Sequence, residues 1–179
     1  MPELFAQDCS FDADWRRQQE IRMRPYADII YQSVWGNNIV IQRCDGDSSD
    51  TAILDRCLGI DVQIRFPCGM VLLGQEKFLS NRYRHWSSVT VEYEQNQWTH
   101  EPGNWYKLAC QFYMVVYIND LENGFDPWII LDWTKVVIET HVGRIGWHLK
   151  YNNHDGARAS FRYAHFSAFP PSCVIAKGP

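Results

Sequence analysis

The sequence predicts an α+β or α/β fold with a mixed central sheet flanked by helices. Three observations carry this. A long helical pattern opens the chain over residues 11–36, short runs with two-residue periodicity follow, and apolar residues return to helical spacing over 102–117 before further strand-like runs. Helix, strands in meander, helix, strand is an order that packs as layers around one sheet.

The opening pattern is "FDADWRRQQEIRMRPYADIIYQSVWG". Asp12 or Asp14 is placed to cap it, Tyr26, Ile29, Ile30 and Val34 repeat at helical spacing, and Gly36 follows the last apolar residue. Pro25 removes a backbone donor and predicts a kink or two abutting helices there. "NNIVIQRC" is a strand, "DGDSSD" a loop, and "TAILDRCLG" one or two helical turns.

"GIDVQIRF" alternates, with Ile60, Val62, Ile64 and Phe66 on one face and Asp61, Gln63 and Arg65 on the other. "PCG" makes a tight turn. "MVLLGQEKFL" is apolar at both parities, as a strand covered on both sides is, with Leu73, Gln75 and Lys77 on one face and Glu76 on the other. "SSVTVEYEQ" gives the next strand, with Thr90, Glu92 and Glu94 on one side. "PGNWYKLACQFYMVVY" sets Trp105, Leu108, Ala109, Phe112 and Val116 at helical intervals, although its later half is rich in β-formers. "DPWIILDW" reads as a strand, "TKVVIETHV" is ambiguous, and "HLKYNNHDGARASFRYAHF" is a late hairpin turning at "NNHDG".

The 179 residues suffice for one domain spanning 1–179, and 46% hydrophobic with 15% aromatic residues make a folding chain. A net charge of −4 offers no global attraction for nucleic acid, so any such contact needs a local basic face. The six cysteines form no CxxC pair and mostly border apolar residues, which predicts reduced core thiols. "MPELFAQDCSFDADW" lacks the basic-then-apolar order of a signal peptide, and no run approaches the roughly 18 apolar residues of a membrane span. These features predict a soluble cytoplasmic protein without a membrane partner. The histidines lack zinc spacing, and no phosphate-binding glycine loop or nucleophile elbow occurs.

One constellation stands out. In a hairpin centred on residue 68, Asp61 falls opposite Gln75, and Lys77 lies one step further along the same face. Phosphodiester cleavage needs hard oxygen ligands for a divalent cation and a positive group near the attacking water. Asp61, Gln75 and Lys77 supply that set on two adjacent strands.

These residues resemble the PD-(D/E)xK nuclease superfamily, the restriction-endonuclease-like fold. That family has an Asp opening the second core strand, an acidic-x-Lys triplet on the third, and often a Glu from a preceding helix. Here "GID" ends at Asp61 and "QEK" follows after thirteen residues. Gln75 stands where the common form has an acid, a recognised minority variant with one charge fewer. The stretch "QEKF…RYRHWSSVTVEY" is also similar to phage and plasmid members of the superfamily, which implies a phage or prokaryotic origin. The match spans residues 15 to 135.

The resemblance implies a Mg²⁺ or Mn²⁺ ion held by Asp61, the Gln75 side-chain oxygen and the Glu76 backbone carbonyl. Lys77 would position or deprotonate water and stabilise the phosphorane. Glu20 is the candidate helix carboxylate, with Asp28 as its competitor. Asp55 is a further acid that could reach the site or simply cap or face solvent, and Glu92 has the same standing. Arg82, Arg84 and His85, interleaved with Tyr83 and Trp86, read as a phosphate-contacting loop or as a solvated one. Arg16, Arg17, Arg22 and Arg24 gather on the opening helix.

The expected function is a metal-dependent deoxyribonuclease, acting on DNA as a monomer or a homodimer. Two alternatives stand beside it: a weak or inactive nuclease-fold protein that binds nucleic acid or serves assembly, and an unrelated α/β interaction protein.

Overall fold

The computed structural model describes residues 9–44, 49–152 and 158–179. In chain order it contains α1 (Cys9–Trp35), β1 (Val40–Arg43), α2 (Ser49–Leu58), β2 (Val62–Arg65), β3 (Val71–Leu79), β4 (Ser88–Asn96), β5 (Glu101–Pro102), β6 (Phe112–Ile118), β7 (Phe125–Asp132), α3 (Trp133–His141), β8 (His148–Tyr151), β9 (Ser160–His165) and β10 (Val174–Gly178). Two sheets result. The larger has the order β1-β2-β3-β6-β7-β10, and the smaller β5-β4-β9-β8. Only the β3–β6 pairing is parallel, so the large sheet is mixed, as expected.

α1 runs as one helix through Pro25, so the two abutting helices do not occur. The helix starts at Cys9, ahead of Asp12 and Asp14. Its buried face is Gln19, Met23, Ala27 and Tyr31, rotated from the expected stripe; Ile29 is exposed. Gly36 does end it, at φ +95°, with its N–H bonded to the Gln32 carbonyl. α1 packs Ala27 and Tyr31 on one face of the large sheet, against Val62, Ile64, Met114 and Val116. The small sheet covers the other face, where Val89, Val91 and Ala164 share a core with Tyr113, Val115 and Tyr117.

Two expectations fail here. β4 does not continue the meander beside β3; it leaves for the second sheet. The pattern over 102–117 is not a helix but a single 3₁₀ turn, Asn104–Tyr106, followed by β6. Every residue of β6 is buried. A strand apolar on both faces satisfies helical spacing by accident, and the β-branched and aromatic content of "FYMVVYI" decides the outcome. Gly74 permits this pairing: a β-carbon there would lie 2.0 Å from the Phe112 ring.

The ambiguous segment after β7 is α3, capped by Asp132, whose side chain accepts from the Lys135 N–H. The late hairpin is β8–β9, although its turn at 153–157 lies outside the described residues, as does most of the "DGDSSD" loop. Cys44, Cys110 and Cys173 are buried, whereas Cys57 and Cys68 are exposed. Among the described residues, no helix is long and apolar enough to cross a membrane.

Candidate functional site

The β2–β3 ladder pairs Val62 with Gly74, and the Asp61 N–H continues it by donating to the Gly74 carbonyl at 2.9 Å. Asp61 therefore stands opposite Gln75, as strand counting requires. Asp61 Oδ2 accepts from the Glu76 main-chain N–H at 3.0 Å and from Gln75 Nε2. That same nitrogen lies 3.4 Å from the Glu76 carbonyl oxygen. The carboxylate, the amide and the peptide carbonyl thus meet at one point.

Gln75 Oε1 is buried and has no hydrogen-bond partner. An orphaned buried acceptor costs about 1–3 kcal/mol, so such an atom calls for an explanation. A half-turn of the amide exchanges its oxygen and nitrogen without changing its shape. Oε1 would then join Asp61 Oδ2 and the Glu76 carbonyl, three oxygens that a proton, a water or a cation between them would reconcile. Gly59 leaves room for the amide: it has φ +58°, and a β-carbon there would lie 2.9 Å from Leu108 and 3.3 Å from Gln75 Oε1.

Burial pushes the Asp61 carboxyl up to about 7; the Glu76 N–H opposes this, and the charges of Glu76, Asp55 and Glu20 add to it. Burial likewise pushes the Lys77 amine down to about 8, against the pull of Glu92, Asp61 and Glu20. Lys77 Nζ donates to the Thr90 carbonyl at 3.2 Å, which also accepts from the Tyr113 hydroxyl at 3.0 Å. Glu92 of β4 has its carboxyl raised by burial, with Lys77 and Lys107 holding it back.

Glu20 is thus within electrostatic reach of both Asp61 and Lys77, and Asp55 of Asp61. Asp28 is engaged elsewhere, 2.7 Å from the Arg43 guanidinium. The Glu76 side chain points to the opposite face, as its parity predicts. There it accepts from the Tyr31 hydroxyl at 2.8 Å and meets Arg43 Nε at 2.8 Å.

Arg82, Arg84 and His85 lie on an exposed 3₁₀ turn, Asn81–Trp86, beyond the far end of β3 from Asp61. Arg84 is paired with Asp120 at 2.9 Å, and Arg82 stacks 4.5 Å over the Tyr83 ring. On α1, Arg22 pairs with Glu122, while Arg16 and Arg17 are exposed.

The sequence reading missed the roof over Lys77: the Thr90 carbonyl, Tyr113 and the ring of Phe161, 5.5 Å from Nζ. The all-apolar run of β6 was the available signal, because a strand buried on both faces requires a second covering layer. Among the described residues, no three His, Cys, Asp or Glu side chains are grouped to hold a metal. The donor set here is of another kind: one carboxylate, one amide and one peptide oxygen, all hard ligands suited to Mg²⁺ or Mn²⁺. No family model matches the chain, and no curated protein or solved structure is significantly similar to it.

Proposed function

We propose that the chain is a metal-dependent nuclease that hydrolyses phosphodiester bonds in DNA, of the restriction-endonuclease-like kind. The observation that carries this reading is the convergence of Asp61 Oδ2, the Gln75 amide and the Glu76 carbonyl, with Lys77 two residues further along β3. Asp61, Gln75 and the Glu76 carbonyl would hold Mg²⁺ or Mn²⁺, with Glu20 and Asp55 as outer carboxylates. The bound cation supplies charge stabilisation at the phosphate and acidifies water.

Lys77 acts on the proton. An amine lowered to about 8 has a sizeable neutral fraction near neutral pH and can accept the proton of the attacking water. The Thr90 carbonyl fixes where its Nζ sits. The protein would act in the cytoplasm, and a homodimer would bring two such sites to the two strands of a duplex.

A second reading keeps DNA binding without catalysis. It is favoured by the neutral Gln75 and by β4, which roofs the Lys77 face.

The test is nicking of supercoiled plasmid and branched oligonucleotides with Mn²⁺, comparing wild type with Lys77→Ala. Loss of cleavage by about 10²–10⁴-fold supports the nuclease. Equal cleavage by both proteins refutes this site. No cleavage by either, alongside DNA binding, favours the second reading.

A further inference from the structure

A cavity of ≈ 770 Å³ opens between the 3₁₀ turn Asn81–Trp86 and the C-terminal strand, lined by His85, Trp86, His165, Phe166 and Lys177 among others. Its volume is that of a small-molecule site, larger than an ion needs. Its charged and titratable side chains are all basic: no Asp or Glu side chain lines it, in a chain of net charge −4. Trp86 anchors the arrangement. Its carbonyl accepts from His165 Nδ1 at 2.9 Å, which leaves Nε2 free of that bond, and its ring carries the Lys150 ammonium at 3.9 Å. Aromatic faces beside cationic groups are what a base and its phosphate require of a single-strand site.

The cavity also adjoins the strand that seats Lys77. Ser87 lines it, Ser88 pairs with His165, and Thr90, whose carbonyl holds Lys77 Nζ, is two residues along β4. From Ser88 to Thr90 is roughly 7 Å of strand rise.

We propose that this cavity binds one nucleotide of a single-stranded nucleic acid, its base against Trp86 and Phe166 and its phosphate against His85, His165 and Lys177. The inference rests on the nuclease reading and names its substrate class: a strand whose bases are unpaired beside the cleavage point.

The experiment is fluorescence anisotropy of labelled oligothymidylate, oligouridylate and a blunt duplex in EDTA. It compares wild type, His85→Ala/Lys177→Glu, Trp86→Phe, and Arg65→Glu as a charge control on the remote β2 edge. The double variant is expected to lose about tenfold or more in single-strand affinity with duplex affinity unchanged, and Arg65→Glu to lose little. Intrinsic tryptophan quenching by the oligonucleotide is expected in wild type and to be smaller in Trp86→Phe. Absence of single-strand binding, unchanged affinity in the double variant, or an equal loss for duplex overturns the proposal. Preference between the two oligonucleotides sorts DNA from RNA.

Because binding is read in EDTA, without the cation, and cleavage with Mn²⁺, the two readings fail separately. Retained pocket-dependent binding without Mn²⁺-dependent cleavage refutes the nuclease alone. Retained cleavage with pocket-independent binding refutes the cavity alone.

Discussion

The two faces of β3 differ in how they pair their buried charges, although Glu76 is separated from Gln75 and Lys77 by a single peptide bond each. Behind the sheet, buried Glu76 has the Tyr31 hydroxyl on one oxygen and the Arg43 guanidinium 2.8 Å from the other, an ion pair whose Nε–H is not aligned for a hydrogen bond, and Arg43 donates onward to Asp28. In front, Gln75 Oε1 has no partner, and Asp61 and Lys77 are both driven toward their neutral forms by burial. A buried charge with its partners in place serves the fold. A buried polar group left incomplete costs stability and calls for an explanation in a ligand, a water or strain.

Removing a partner behind the sheet should be the more damaging change. Arg43→Ala strands the Glu76 carboxylate and is expected to cost about 3–5 kcal/mol in urea unfolding. A loss under about 1 kcal/mol would show that the rear network is not holding α1 to the sheet.

The front should respond in the other direction. The Asp61 carboxyl is raised in the folded state, so the folded protein holds a proton that the unfolded chain has released between about pH 4 and 7. Stability should therefore fall as pH rises through that window, and Asp61→Asn should flatten the slope and gain roughly 1–3 kcal/mol above pH 7. That gain is less than the full shift implies, because the carboxylate is half-buried and screened. Mn²⁺ should restore wild-type stability above pH 7 and leave the variant unmoved. Parallel pH profiles for the two proteins would remove Asp61 from the site.

The smallest effect should come from Gln75→Glu, which restores an acid beside Asp61. Like charges should lower stability by about 1 kcal/mol without metal, and the rise in Tm on adding Mn²⁺ should exceed that of wild type. An identical Mn²⁺ response would mean that the amide does not face the ion.

The front face was legible because a hairpin's register is local. Once "PCG" was read as a turn, alternation alone set Asp61 against Gln75 and Glu76 away from both. The rear network was not, because Tyr31 and Arg43 reach Glu76 from α1 and β1, and nothing in the spacing of those segments aligns them. The second sheet was illegible for a related reason. Val89 and Val91 alternate as they would in any half-buried strand, so their pattern cannot say which sheet they join. Glu92 was noted as a polar neighbour on the wrong assumption of a continuing meander, yet its charge does reach Lys77.

The parallel pairing of β3 with β6 has a kinetic consequence. Gly74 meets Phe112 only after the chain has gone out through β4 and back, and β4 is secured only when Val89 finds Ala164. Asp61 and Gln75 can meet as soon as their hairpin closes, whereas the carbonyl that seats Lys77 awaits contacts among the most distant in the sequence. Such closures are slow. The oxygens of the site should assemble early in folding and its lysine last, so a half-folded chain could hold a cation before it could use one.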